Sequence, residues 1–188
     1  MYPLAATLIG GLVFGMADRW LSHGPAWSLD LSNVAAPWLA LAFLAGMVWR
    51  SPALGSATGF VVMQSALVGY YGSMFVLEHV TPLSYLVARA APWLLAAVAA
   101  GPVFGWLGSR WAVERSRVAV MALASAFLLD GLGFVALGGG HSGSNLAVHL
   151  ATALAGVVIV GAEAGAPRAR PPGRRSPLPP PWPRPRSR

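Results

Sequence analysis

Six long apolar runs, at about residues 3–21, 34–49, 53–77, 84–107, 118–137 and 145–162, constrain this chain more than any other feature. The hydrocarbon layer of a bilayer is about 30 Å thick, and a helix rising 1.5 Å per residue crosses it in roughly 20 residues. In lipid every backbone amide needs a partner within its own helix or a closed sheet, so such runs fold as helices. The alternation of apolar and polar positions that marks a membrane barrel strand is absent. Only 10% of the 188 residues are charged, against about 25% in a soluble domain. That is too few to wet a surface around a core of this size. It argues against a soluble enzyme, a nucleic-acid-binding domain and a disordered chain. The expectation is an all-α polytopic membrane protein, a bundle of six transmembrane helices over residues 1–163 with the lipid bilayer around it.

The breaks between the runs carry their own signals. Ser22-His23-Gly24-Pro25 and Asp30 separate the first two, and Arg50-Ser51-Pro52 turns the chain after the second. Glu78-His79 and Pro82 follow the third, Arg110 to Arg117 reads as a basic loop, and Gly138-Gly139-Gly140-His141-Ser142-Gly143 cannot stay helical. The first run has no basic segment before it, and Asp18-Arg19 ends it where a secretory signal would carry small residues. It reads as a retained helix.

Charge sets the orientation. With six crossings the termini share a side with the second and fourth loops, and that side holds eleven arginines. The other side holds Arg19 and Arg89 at most, so both termini should be cytoplasmic, in a bacterial plasma membrane. Residues 1–167 are neutral overall, with six arginines and six acids, and residues 168–188 carry the remaining seven arginines and no acid. The strong basicity is therefore a tail on an apolar body. It is not the basic face that nucleic acid would need, and no nucleic-acid partner is expected. This Arg/Pro-rich tail, residues 164–188, has eight prolines after residue 167 and cannot bury a core. It reads as a disordered cytoplasmic segment drawn to anionic lipid headgroups by about 1 kcal/mol per arginine near the surface. A proline-motif ligand at Pro177-Leu178-Pro179-Pro180, or an extension without a partner, are the alternatives.

Residues 35–46 (AAPWLALAFLAG) and 90–101 (AAPWLLAAVAAG) match at eight of twelve positions, including Pro37/Pro92 and Trp38/Trp93. Proline in a first turn costs no hydrogen bond and tryptophan favours the interface. One reading is a set of parallel helical-hairpin repeats. The other is compositional likeness between Ala-rich helices. Gly11/Gly15, Gly55/Gly59 and Gly101/Gly105 have the spacing that lets helix backbones approach closely, and they read as packing positions within the chain.

Ionisable groups inside spans are expensive and usually have a reason. Counting from the helix ends puts Asp18, Arg89, Asp130 and His149 at similar outer levels on four helices, with Gln64 near the middle of the third. Arg89 with Asp130 is the preferred ion pair, since an unpaired charge in low dielectric is costly. The functional reading is an outward-facing polar pocket for a small solute, contacted by Asp130 and Arg89 and tuned by His149 and Asp18, or a proton relay through Asp130 and His149. The plainer reading is a structural pair in a non-catalytic interaction protein. The four histidines, 23, 79, 141 and 149, share no ligand spacing on one helix face, and no cysteine is present. No metal site, disulfide or cofactor is expected.

AGPVFGWLG (100–108) and VHLATALAG (148–156) look like the serine-helix and histidine-helix segments of rhomboid intramembrane proteases. The position matching the nucleophile is Ala100, and His149 lies near the opposite end of its span, so nucleophilic catalysis fails and no enzyme is expected. NVAAPWLALAFLAG (33–46), SALVGYYGS (65–73), GPVFGWLGSRW (101–111) and the acid in LLDGLGF (128–134) together resemble an uncharacterised family of six-helix integral membrane proteins common in actinobacteria. The resemblance covers about residues 4–162 and implies the fold, with no activity or site. In size and helix count the chain is also similar to the substrate-binding subunits of energy-coupling-factor transporters, an analogy of architecture alone.

Overall fold

Helix formation tracks the apolar runs. The structure, a computed structural model, describes residues 2–80, 82–136 and 143–165. They form α1 (Tyr2–Leu21), α2 (Ala26–Ser32), α3 (Ala36–Met47), α4 (Pro52–Val76), α5 (Leu83–Glu114), α6 (Arg117–Ala136) and α7 (Gly143–Gly165). No strand occurs among the described residues. Ser142, His141, most of the glycine loop and all of the tail beyond Gly165 lie outside them.

Three boundaries differ from the sequence reading, one of them being α7, which takes in Gly143 of the glycine run and the first two residues, 164–165, of the stretch read as tail. The stretch taken as a break between the first two runs contains a short helix, α2, entered from an extended Pro25. Where a basic loop was expected, α5 instead continues through Arg110 to Glu114, and only Arg115 and Ser116 separate it from α6. Arg115 sits at φ 50°, a left-handed conformation that ends the helix, and its guanidinium lies 4.6 Å from the Trp111 ring centre.

The break between α2 and α3 has a local cause. A proline ring inside a helix clashes with the carbonyl four residues earlier, and for Pro37 that residue is Asn33. Asn33 instead turns back, its side-chain amide donating to the Leu29 carbonyl at 2.8 Å. The helix restarts at Ala36 with Pro37 in its first turn. The two pieces are bent by 51°. Pro92, its match in the other PW segment, stands well inside α5. The two segments are therefore not equivalent in helix register, and the expected first-turn placement holds for Pro37 alone.

Among the described residues, four helices are long and apolar enough to cross a membrane: Leu4–Leu21, Pro52–Val76, Leu83–Glu114 and Asn145–Gly165. Taken together, α2 and α3 make a fifth. The distribution of side-chain sizes fits that reading. The largest fully buried side chains are only Val34, Thr58, Ser28 and Ser109, whereas Leu95 is 72% exposed and Leu129 73%. Phe43, Leu67, Leu86 and Leu107 are buried as well, but most of the large apolar side chains face outward, where a soluble fold would bury them. Small residues inside and large apolar ones outside are what helices packed in lipid require.

Helix directions follow from the close contacts. Gly11 faces Val62 and Ser65 while Gly15 faces Ala66 and Tyr70, so α1 and α4 run parallel. Gly55 and Gly59 meet Gly105 and Gly101 in reverse order, making α4 and α5 antiparallel. Gly131 against His149 and Ala153, with Gly156 against Ala124, makes α6 and α7 an antiparallel pair. A Cβ on Gly59 would stand 2.2 Å from the Gly101 carbonyl oxygen, so the α4–α5 crossing is too close for any larger residue. Buried hydroxyls along these faces satisfy themselves on their own helices: Thr58 donates to the Leu54 carbonyl at 2.6 Å and Ser73 to that of Gly69 at 2.7 Å.

Candidate functional site

The four polar positions singled out in the sequence have different settings. Asp130, thirteen residues along α6, points its carboxylate at the start of α3, where Oδ2 accepts the Ala36 amide N–H at 2.8 Å. That amide has no acceptor within its own helix, because the chain breaks three residues before it. Asp130 is thus an N-terminal cap supplied from another helix, placed where the partial positive charge of a helix start favours a carboxylate. It forms no ion pair with Arg89, the pairing preferred from depth alone. Counting depth cannot find a backbone donor, which is why the capping role was missed. Pro37, four residues beyond a capping-type Asn33, was the signal available.

His149 is buried at 3% exposure on α7, with its backbone against Gly131, the neighbour of Asp130. Asp18 lies near the end of α1, and its Oδ2 is buried without a hydrogen-bond partner. Gln64 crosses from α4 to donate to the Leu94 carbonyl of α5 at 3.3 Å. Of the six packing glycines, Gly55, Gly59, Gly101 and Gly105 meet one another, while Gly11 and Gly15 of α1 pack against α4.

Arg89 has a different setting. It lines a cavity of about 530 Å³ between α3, α4 and the first half of α5. The α2–α3 break, Ser32 to Ala35, forms one wall. Trp38, Tyr70 and Tyr71 form a second, and Pro92 and Trp93 a third beside Arg89. The aromatic wall is continuous: Phe14 meets Trp38 edge-on at 5.3 Å, Trp38 meets Tyr70 at 6.2 Å, and Tyr70 meets Tyr71 at 5.2 Å between ring centres. Tyr71 hydroxyl donates to the Arg89 carbonyl at 3.4 Å. Met63 and Ala100 line the cavity deepest along their helices. The two PW segments therefore flank one space, with Ala42 and Ala97 in a single buried cluster that includes Met63 and Leu67 of its wall.

An ion-pair network closes the same end of the bundle. Arg19 near the end of α1 donates from Nε to Glu78 Oε1 at 2.6 Å and from a second nitrogen to Oε2. His23 Nε2 lies 3.6 Å from the same carboxylate. The Arg19 guanidinium also sits 5.6 Å from the Tyr70 ring centre, which ties the network to the cavity wall. The Arg19 hydrogen bonds hold the Glu78 carboxyl below the usual carboxylate range. Sequence reading placed Glu78 only as a break, since its partner is 59 residues away. A second, more open groove of about 620 Å³ borders this pair on the α1 side.

These features define an all-α protein whose apolar helices suit a membrane and surround an aromatic cavity at a helix break. The chain belongs to a family of unknown function, DUF6518, whose model matches residues 1–172. No curated protein and no solved structure matches it.

Proposed function

We propose that this chain is a multi-pass membrane protein that binds or translocates a small solute through the cavity at the α2–α3 break. It would cross the membrane six times, with the broken α2–α3 pair as the second crossing and α6, twenty residues with Asp130 as its one acid, as the fifth. The alternation of helix directions supports that count. Arginine placement supports cytoplasmic termini and a cavity that opens outward. The chemistry is binding, without catalysis.

The observation that carries this reading is the cavity wall itself. Irregular backbone at membrane depth is tolerated only where protein buries it or where it lines a cavity, and broken helices are a recurrent element of solute sites in transporters. Here the break is held open by a dedicated cap, Asp130, and its residues face a space of about 530 Å³. That volume lies in the range of small-molecule pockets. The contact residues are Arg89 and the aromatic wall, and Asp130 positions the wall without facing the solute.

The competing reading is a non-catalytic interaction protein. It draws support from the use of Asp130 as a structural cap. Thermal unfolding of the purified chain with pooled solutes separates the two. A solute that raises the unfolding midpoint of the wild type, and not of Ala96→Trp with its cavity filled, supports binding. Absence of any shift across broad pools leaves the interaction reading standing.

A further inference from the structure

The charges around the cavity select its ligand, an inference that rests on the binding reading above. None of the chain's six acids lines its wall. Glu78 is engaged by Arg19, Glu114 by Arg110 and Glu163 by Arg117. Asp130 is turned to the Ala36 amide. Arg89 is the one cation on the wall, six residues into α5, and no carboxylate pairs with it among the described residues. Its immediate neighbours there are rings and small apolar side chains: Ala88, Pro92 and Trp93 on its own helix, with Tyr71 opposite. The start of α3, the other positive element at this end, is already satisfied by Asp130. A guanidinium left beside an aromatic cavity with no internal counter-charge is matched by an anion brought from outside, and its planar fork suits a carboxylate or phosphate.

We propose that the ligand carries an anionic group on an apolar, ring-bearing body. The anion rests on the Arg89 guanidinium, and the body lies among Trp38, Tyr71 and Trp93. A neutral or cationic solute of the same shape leaves Arg89 without a partner and gains nothing from it. The anionic group is either that of an aqueous organic acid or a lipid headgroup reaching in from the bilayer.

The test uses the full chain in phosphatidylcholine nanodiscs, with 1-naphthylacetate and its neutral counterpart 1-naphthylacetamide as probes and calorimetric titration as the readout. The acid should bind roughly tenfold or more tightly than the amide, the range of a charge-assisted hydrogen bond. Arg89→Met should abolish that preference, and Arg89→Lys, which keeps the charge, should restore part of it. Arg89 is exposed, so neither change disturbs the fold. Equal binding of acid and amide, abolished by Ala96→Trp, overturns the anion assignment and leaves the cavity reading intact. Persistence of the preference in Arg89→Met overturns it equally. Binding of neither probe overturns the cavity reading and the anion assignment with it. Repeating the titration in nanodiscs containing phosphatidylglycerol identifies the source: loss of naphthylacetate binding supports the headgroup, and unchanged binding supports the aqueous acid.

Discussion

Asp130 gives the residue scale its clearest case, a carboxylate whose partner is a backbone amide on another helix. Removing it in Asp130→Ala orphans the Ala36 N–H, at a cost of about 1–3 kcal/mol for a buried donor left unsatisfied. Asp130→Asn keeps an acceptor in place and should lose less. Thermal unfolding in detergent micelles measures both, and equal stability of Asp130→Ala and wild type would dismiss the cap. The Arg19–Glu78 pair makes a second case, with a sign that can be worked out. Glu78 has its folded pKa lowered by Arg19. Its contribution is therefore fully present above the unfolded value, about 4.3 for a free glutamate, and is lost as pH falls through the folded value. The unfolding midpoint should drop on acidification below pH 5, and Glu78→Gln should be less stable than wild type at pH 7 and show a shallower drop. Partial exposure of both side chains keeps the effect modest, and added salt should shrink it.

At the level of helices, the α4–α5 crossing is fixed by backbone against backbone. A Cβ on Gly59 would meet Gly105 Cα at 2.8 Å as well as the Gly101 carbonyl, and a main chain cannot swing aside as a flexible side chain does. Gly59→Ala should destabilise the chain by about 1–3 kcal/mol through overpacking. Gly10→Ala, with nothing within 4 Å of the added carbon, should be tolerated. Loss of folded protein on size-exclusion chromatography for Gly10→Ala and not for Gly59→Ala would reverse the assignment. The sequence showed that these glycines are spaced for close packing, because four-residue spacing puts them on one helix face. It could not show that the face of Gly55 and Gly59 meets that of Gly101 and Gly105, since spacing says nothing about the partner. The long helices were legible because each coincides with a long apolar run in the sequence. α2 was not, because seven residues holding two serines and an aspartate give no apolar run. The overrun of α5 was also hidden, as Arg110 and Glu114 read as loop charges until their pairing at 2.7 Å along one helix is seen.

For the whole molecule, the controlling fact is that bulk faces outward. Thr58 and Ser109 are nearly inaccessible while Leu95, Val118, Leu129 and Leu154 are more than half exposed, so the outer surface suits lipid and the closest helix contacts are made by small residues. Which polar side chains fall within the apolar runs was legible from the sequence. The cavity was not, because its wall is assembled from α3, α4 and α5 and from a break whose local signals, Asn33 and Pro37, do not show what they face. The proposed threading rests on arginine placement, and the absence of cysteine leaves a clean background for probing it. Single cysteines at Ser22, Ser51, His79 and Ser116 can be labelled with a membrane-impermeant maleimide in right-side-out and inverted vesicles. Six crossings with the N-terminus inside require Ser22 and His79 to label only in the right-side-out preparation and Ser51 and Ser116 only in the inverted one. Labelling of all four from one side would contradict the spanning arrangement from which every other assignment follows.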